Sequence, residues 1–522
     1  MLRLLVIALL ASTALLPSLA SAAPGPCLTP DLLPHTPPPR AFPPATSRDK
    51  DSRNPYSVPN ELVTDDFVVR WGNSWMPNLT GIQTLAEALQ DAWQTQIVEL
   101  EHPAPPSTDS TRMNVYIGDT GDGAPSAFGA GGYFSGDDEG YPMLVVAQGS
   151  LDEPGWTRVV ALHEFYHSVQ WGLDTYSYTE GAPGAWYWEA SATWIPTVTD
   201  PDSIDHGRFL FGFGLLPHLS LDAFDYPDSG ALDEYHQYGA FIFLTFLSEA
   251  GFPADVVRDS WVEPANGTND PIEALRARLN DEAAEFDALF AEFAAANVFW
   301  DYEQRAWWEA IVDGGRGRYP TASEVTAWAD ADDAETWRSP PTSLQPQRYG
   351  ANVLRLDSLP AGDWVLRARF NESGSQDSPA EWATTLVRDT AGTVSYEPLT
   401  AEELDDGVTI ELGGELALSV AVWSEQRREG ERFTWSWWLE DPTAGDDDDA
   451  ADDDDAADDD DDAADDDDGG LAGSGDGCAC SSMGDDSTPA WALLALYGML
   501  APLLRRRSAA SSRSVPSGKS AA

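Results

Sequence analysis

Cysteine and lysine are scarce in this sequence of 522 residues. The three cysteines are Cys27, Cys478 and Cys480, and lysine occurs only as Lys50 and Lys519. With no cysteine between residues 28 and 477, neither disulfides nor thiolate ligands can support the central part of the chain. We therefore expect a fold that depends on packing, for which a content of 42% hydrophobic residues is sufficient.

Positive charge is also scarce: 29 basic residues stand against 88 acidic ones, for a formal net charge of −59. A chain this acidic repels nucleic acid and anionic lipid, so we expect no nucleic-acid partner. The composition suits a protein outside the cell that meets basic peptides or cations. The length predicts two or more folded units.

The N-terminus has the three parts of a secretory signal. Arg3 supplies the basic start, Leu4–Leu16 an apolar run too short to span a membrane, and Ala20-Ser21-Ala22 a cleavage site. We predict a signal peptide over residues 1–22. Residues 23–55 are rich in proline, which indicates a linker or a short pro-segment.

Residues 56–340 predict a domain of mixed helix and sheet. Apolar runs indicate strands in "FVVRW", "MNVYIGD" and "YPMLVVAQG", and helical spacing indicates a helix in "GIQTLAEALQDAWQTQIVEL". The glycine-rich stretch "GDGAPSAFGAGGYFSGDDEG" between the last two strands is predicted to be a loop that borders a substrate cleft. Helices are then expected in "GAWYWEASATWIPTV", up to Pro196, in "EYHQYGAFIFLTFLSEAG", and twice in "DPIEALRARLNDEAAEFDALFAEFAAANVFW".

Residues 345–441 switch to a period of two. Six short runs, from "NVLRLD" to "RFTWSWWLED", are separated by Gly, Pro, Asp and Ser turns, which predicts an all-β sandwich domain. No catalytic cluster occurs in these residues, so a binding or stabilising role is expected. The predicted fold class for the whole chain is α+β.

An aspartate-rich stretch occupies residues 442–476. Seventeen aspartates lie within residues 446–468, and a segment with this charge cannot bury enough surface to fold. We predict a disordered, extended spacer. Weak calcium binding is the alternative, although the glycine and glutamate that shape an EF-hand loop are missing.

The C-terminal part combines Cys478-Ala-Cys480, an apolar segment of sixteen residues (Pro489–Leu504), and Arg505-Arg506-Arg507. Over residues 477–507 this order resembles the MYXO-CTERM sorting tags of myxobacteria, although those more often carry Cys-Gly-Cys. The resemblance implies processing near Cys478 or Cys480 and retention at the outer cell surface. Residues 508–522 are expected to be a disordered tail.

The motif "HEFYH" is the main candidate for chemistry. Its helix is predicted to be amphipathic and partly buried, to be capped by Ser150 or Asp152 with Pro154 in the first turn, and to end at Gly172. On a helix His163 and His167 share one face, so both imidazoles can reach one Zn²⁺.

Glu164 then points beside the metal, where it can act as the base that activates a water. The motif also arises by chance. Two observations favour a metal site over chance. The helix is rich in apolar residues, and two of the seven histidines in the chain stand at ligand spacing.

A catalytic zinc needs a third protein ligand. Glu189, in "WYWEASATW", has apolar or small neighbours, among which a carboxylate is costly to bury unless it is paired or bound to a metal. Glu180, in the loop-like "YTEGAPG", is the alternative. The metzincin pattern fails because Gln170 and Leu173 stand where that pattern has its glycine and its third histidine.

The pieces "HEFYHSVQ", "WYWEASATW" and "YHQYGAFIFLTFLSEAG" together resemble the gluzincin metallopeptidases over about residues 60–300. More narrowly, the chain resembles a family of secreted bacterial metalloproteases typified in myxobacteria. The resemblance implies a zincin-like domain, in which a mixed sheet and the active-site helix precede a helical subdomain. It also implies zinc ligands His163, His167 and Glu189, with Glu164 as the base. Thr193 is a departure, because thermolysin-type enzymes place there an Asp that orients a ligand histidine.

A donor for the transition-state oxyanion is expected from "EYHQYG", which offers Tyr235, His236 and Tyr238. Tyr238 is preferred because Tyr-Gly before an apolar helix resembles the family, whereas the alternative for each residue is a place in the core. His206 and His218 are predicted to be structural or exposed.

These features predict a secreted, surface-anchored zinc metalloendopeptidase that acts on proteins or peptides. The alternative from another class is a surface adhesion or binding module whose zinc is structural or inactive. Glu164 favours the enzyme, because a structural site has no need of a base. An aminopeptidase is a third candidate, but no amine-recognition motif precedes the HExxH sequence.

Overall fold

The computed structural model describes residues 50–129, 131–225, 231–264, 267–282, 284–319, 325–328, 337–356, 365–372, 380–400, 402–403, 410–411, 413–423 and 430–440. These residues all fall within one compact unit, Ala22–Pro442. The predicted signal peptide, most of the proline-rich linker, the aspartate-rich spacer, the sorting tag and the tail lie outside the described residues. None of the described helices is long and apolar enough to cross a membrane.

The first sheet has the strand order β1-β2-β3-β5-β4. Its strands are β1 (Asn60–Val63), β2 (Phe67–Trp71), β3 (Met113–Ile117), β4 (Gly132–Gly136) and β5 (Pro142–Val146). β2, β3 and β5 run parallel, whereas β1 and β4 are antiparallel to their neighbours. β3 and β5 are buried along their whole length, which explains their continuous apolar sequences. Helix α1 (Leu79–Trp93) packs its apolar face into the same core.

The glycine-rich stretch before β5 was predicted to be a loop. It instead contains the edge strand β4. The strand pairs with β5 from Gly132 to Gly136. Tyr133 and Phe134 are buried, and Phe134 packs against Trp171 at a ring distance of 5.6 Å. The glycine content of this segment favours a loop, but burial of the two aromatic residues stabilises it as a strand of the sheet.

The HExxH helix α2 (Pro154–Leu173) is buried nearly all round from Trp156 to Trp171. It is therefore not the partly buried amphipathic helix that was predicted. Pro154 stands in the first turn, as predicted, but the predicted cap and C-terminal residues were wrong. Glu153 stands at the N-cap, and Asp174 ends the helix in a left-handed conformation with φ of 51°. Gly172 instead allows close packing, because a β-carbon there would lie 2.7 Å from Cδ of Pro106.

A helical half follows α2. Its helices are α3 (Ala185–Thr199), α4 (Leu210–Gly214), α5 (His236–Gly239), α6 (Phe241–Glu249), α7 (Asp255–Val262), α8 (Pro271–Asp281), α9 (Phe286–Ala296) and α10 (Arg305–Arg318). α3 continues past Pro196, where an end was predicted, and the N–H of Asp200 donates to the carbonyl of Pro196. The predicted pair of helices after residue 270 is present as α8 and α9.

The remaining strands form two sheets with the orders β10-β9-β12-β7-β6 and β11-β8-β13. They are β6 (Val325–Trp328), β7 (Gly350–Leu356), β8 (Val365–Glu372), β9 (Glu381–Thr390), β10 (Thr393–Leu399), β11 (Ile410–Glu411), β12 (Glu415–Trp423) and β13 (Phe433–Glu440). β6 and β10 were not predicted, and β6 lies inside the range assigned to the first domain. The described chain is thus a mixture of helix and sheet, as the α+β class requires.

The two sheets share an apolar core, in which Leu386 and Leu418 of one sheet meet Phe433 and Trp435 of the other. A separate cluster joins Val387 of β9 to α9 and the residues that follow it. Tyr349 and Ala351 even belong to the main core of the helical half. The two-sheet unit is therefore packed against the rest of the protein through apolar side chains.

Candidate metal centre

Helix α2 presents His163 and His167 to each other on consecutive turns. Their Nε2 atoms lie 3.1 Å apart, and the two rings are nearly perpendicular at 88°. Helix α3 brings Glu189 to the same point, with Oε2 3.2 Å from Nε2 of His163 and 3.6 Å from Nε2 of His167. Glu180 is exposed on the loop before α3. Of the two candidate glutamates, the fold brings Glu189 to the histidines.

The triangle of these three atoms matches the donor spacing of a tetrahedral zinc site. Bonds of about 2.0–2.1 Å to a tetrahedral Zn²⁺ place its ligand atoms about 3.3–3.4 Å apart, against the observed sides of 3.1, 3.2 and 3.6 Å. Oε2 of Glu189 is buried and has no hydrogen-bond partner among the described residues. A buried carboxylate oxygen that faces two imidazole nitrogens is stabilised by a bound cation. The donor set therefore fits zinc.

The three groups also shift each other's pKa values. Burial alone would raise the pKa of Glu189, but the neighbouring His167 and His163 outweigh burial and lower the pKa to about 2. Burial alone would lower the pKa of His167, but the charge of Glu189 outweighs it and raises that pKa. The site therefore holds an ionised carboxylate in a dry environment and stabilises a positive charge beside it.

Glu164 lies next to this triangle on a cleft. The ligand-type atoms of His163, Glu164 and His167 all lie within 4.8 Å of one another. The cleft is lined by Gly131, Gly132, Trp156, Val159, Val160, His163, Glu164, Thr193, His206, Phe209 and Tyr238. Gly132 of β4 lies directly against Glu164, since a β-carbon there would be 3.2 Å from Cγ of that residue. The same β-carbon would lie 2.9 Å from the carbonyl oxygen of Val145 and 3.0 Å from Cγ1 of Val160, so the position favours glycine.

Tyr238 is the candidate oxyanion donor that reaches the cleft. Its ring stacks on that of His163 at 6.3 Å and 24°. All three residues are buried, but Tyr235, against Phe209, and His236, against Phe213, do not line the cleft. Of the three residues that the sequence offered as oxyanion donors, the fold thus places Tyr238 at the cleft.

Three further residues at the site were not predicted from the sequence. His206 is buried and lines the cleft, and burial lowers its pKa to about 4, but no spacing relates it to the motif. Gln170 contacts His167, and the hydroxyl of Tyr178 donates to Oε1 of Glu189. Gln170 could have been found, because it follows His167 by three positions on one helix. Tyr178 lies on a loop, where no periodic signal exists.

Four buried histidines outside the triangle predict that acid weakens the fold. Burial lowers the pKa to about 4 for His102, His206 and His218, and to about 3 for His236, where the charge of His218 adds to burial. An unfolded histidine has a pKa of about 6.5, so the unfolded state binds more protons below that pH. The free energy of unfolding should fall from about pH 6.5 to about pH 4, by up to about 1.4 kcal/mol per pH unit for each histidine.

Urea unfolding of the zinc-free protein between pH 7.5 and 4.5 measures this slope. Replacing one of the four, as in His236→Asn, should make the slope shallower whatever the substitution costs at pH 7.5. If the free energy of unfolding depends on pH equally steeply in the variant and in the unsubstituted protein, His236 does not have a lowered pKa in the fold.

Comparison with curated proteins found no match, and comparison with solved structures found none. A family described as one of unknown function, DUF6055, matches residues 39–417. The matched range covers well over half of the 522 residues, including α2, α3 and most of the two-sheet unit. The chain therefore belongs to the DUF6055 family.

Proposed function

We propose that this chain is a zinc-dependent metalloendopeptidase of the gluzincin type. The observation that carries the proposal is the convergence of His163, His167 and Glu189 at tetrahedral ligand spacing, beside a cleft that is lined by His163 and Glu164. Three protein ligands with a neighbouring carboxylate are the donor set of a catalytic rather than a structural zinc site.

Each residue of the cleft then has a role. Zinc held there would polarise a substrate carbonyl and lower the pKa of a water molecule. The carboxylate of Glu164 would accept a proton from the attacking water and deliver it to the leaving amine. The hydroxyl of Tyr238, above His163, would donate to the oxygen on which negative charge develops.

The surrounding architecture and the termini support the same proposal. A mixed sheet whose edge strand β4 borders α2, followed by a helical half that supplies Glu189, is the arrangement expected of a zincin-like domain. The predicted signal peptide and the tag-like C-terminus support secretion and retention at the outer cell surface. The substrate proposed is therefore an extracellular protein or peptide.

A binding module with a structural zinc is the second candidate, and the burial of the site favours it. Glu164 is only 2% exposed, and His167 and Glu189 are 0% exposed. In that case Glu164 would be a fourth ligand, because structural zinc has four protein ligands. The two candidates thus assign different roles to the same carboxylate.

Peptide cleavage by the full-length secreted protein tests the proposal. The protein is incubated with a diverse peptide library with zinc, after chelation, and after zinc is restored, and products are read by mass spectrometry. We expect cuts inside peptides that disappear on chelation and return with zinc. Zinc bound at a 1:1 ratio without any cut would favour the binding module, and trimming from the N-terminus alone would indicate an aminopeptidase.

Tyr238→Phe should slow the reaction without removing the metal. Loss of one oxyanion donor lowers kcat by about 10²–10³-fold, while KM and zinc content stay close to those of the unsubstituted protein. Tyr235→Phe is the matched control, because Tyr235 packs against Phe209 instead of lining the cleft. Equal loss of kcat in both variants would assign the effect to packing.

A further inference from the structure

The imidazole of His167 is held from behind by Gln170. Oε1 of Gln170 lies 2.7 Å from Nδ1 of His167, and both residues are fully buried. The other end of the amide decides its orientation, because Nε2 of Gln170 donates to the carbonyl oxygen of Trp188 at 3.0 Å. A carbonyl can only accept, so the amide oxygen faces His167 and Nδ1 carries the hydrogen.

This tautomer has a consequence for the metal centre. With its hydrogen on Nδ1, neutral His167 keeps a lone pair on Nε2, the atom that lies 3.1 Å from His163 and 3.6 Å from Glu189. Nε2 of Gln170 also donates to Oγ of Ser191 at 3.0 Å. Trp188 and Ser191 on α3 thus orient the amide of Gln170, and this amide in turn orients the imidazole of His167.

Glu189 is held in a similar way by Tyr178. The Tyr178 hydroxyl donates to Oε1, which leaves Oε2 for the two histidines. The Tyr178 ring lies flat on Trp188, with ring centres 4.9 Å apart and an angle of 1° between the planes. This stacking restricts the direction from which the hydroxyl reaches the carboxylate.

We propose that Gln170 and Tyr178 are the positioning residues of the metal centre, one for His167 and the other for Glu189. The inference rests on the zinc site proposed above. They take the place of the aspartate that orients a ligand histidine in thermolysin-type enzymes and is missing here. Thr193 stands at that position and lines the cleft, and its buried hydroxyl has no hydrogen-bond partner among the described residues. The centre is thus supported by neutral side chains rather than by a second carboxylate.

A purely structural role for the two residues must be separated from positioning, because both lie in the core between α2 and α3. The fold offers matched controls. Gln96 is as buried as Gln170, and its Nε2 donates to the carbonyl of Leu162 on the same helix at 2.9 Å. Tyr187 is as buried as Tyr178, and its hydroxyl lies 2.7 Å from Oγ of Ser260. Neither control residue contacts a ligand side chain in the described structure.

The test is zinc affinity of the full chain, measured by competition with a chelator, beside urea unfolding of the zinc-free protein. Gln170→Met and Tyr178→Phe should each weaken zinc binding by about 10–100-fold. Gln96→Met and Tyr187→Phe should lower stability comparably but leave zinc affinity unchanged. Gln170→Glu retains an acceptor for Nδ1 of His167, so it should recover part of the affinity, although it loses the bonds to Trp188 and Ser191.

The outcomes distinguish this inference from the proposed function. Zinc binding by the unsubstituted protein, with equal affinity in Gln170→Met and Gln96→Met, would overturn the positioning role and leave the metal centre standing. Failure of Gln170→Glu to bind zinc more tightly than Gln170→Met would also count against it. If the unsubstituted protein binds no zinc, both the inference and the proposed function fall.

Discussion

Glu164→Gln should abolish most peptide cleavage and leave zinc in place. The amide of glutamine has the shape of the carboxylate, so the nearly buried side chain still fits beside Gly132. Space there is tight, since a β-carbon at Gly132 would lie 3.2 Å from Cγ of Glu164. It cannot accept a proton, and loss of a general base costs about 10²–10⁴-fold in rate. The measurement is kcat/KM on the best peptide of the library, together with zinc content per chain.

Glu153→Gln is the control for this experiment. Glu153 immediately precedes α2, is exposed, and pairs with Arg208 at 2.6 Å. Its substitution makes the same chemical change beside the same helix and should alter neither rate nor zinc content. If Glu164→Gln loses zinc, Glu164 is a ligand and the structural interpretation gains. If the variant keeps its full rate, Glu164 is not the base.

Glu189→Gln should weaken zinc binding by about 100-fold or more, beyond the range of an outer-shell partner. The substitution removes the anionic ligand and leaves two histidines and a neutral amide in a fully buried place. Stability reports the loss directly. Zinc at 1,000 times its Kd adds about 4.1 kcal/mol to the free energy of unfolding, and a 100-fold weaker site would retain about 1.4 kcal/mol of this at the same zinc concentration.

The control is Glu180→Gln, which changes the other glutamate considered as a third ligand. Glu180 is exposed on the loop before α3, so we expect the zinc-dependent stabilisation to be unchanged. The comparison is made by urea unfolding with zinc and with chelator, so that any change in zinc-free stability is subtracted. Loss of zinc binding in Glu180→Gln, with retention in Glu189→Gln, would reverse the ligand assignment.

Burial of the centre explains why these substitutions should act so locally. α2 passes through the core with almost every side chain enclosed, and α3 is buried from Ala185 to Pro196. Candidate ligands carried on two packed helices would lose little freedom on binding a metal, because their rotamers are already restricted. The same packing limits solvent at the cleft, where His163 is 8% exposed. Electrostatic effects among the residues at the cleft are strengthened in such surroundings.

Several features of the site could be predicted from short-range sequence patterns. His163 and His167 had to share a face, since residues four apart on a helix are neighbours whatever surrounds them. Glu189 stood out because a carboxylate among tryptophans and alanines needs a partner. The buried strands β3 and β5 were recognised by continuous apolar runs. Each of these patterns depends on local geometry or on composition within one element.

The tertiary structure decided what depends on distant parts of the chain meeting. Tyr238 rather than Tyr235 lines the cleft, although the rings of both pack against Phe209. β4 forms in a glycine-rich stretch because β5 offers it an edge and the core takes its aromatic residues. Tyr178 reaches Glu189 from a loop that no periodicity describes. Local spacing thus determined which residues could bind a metal, and long-range packing decided which groups hold them in place.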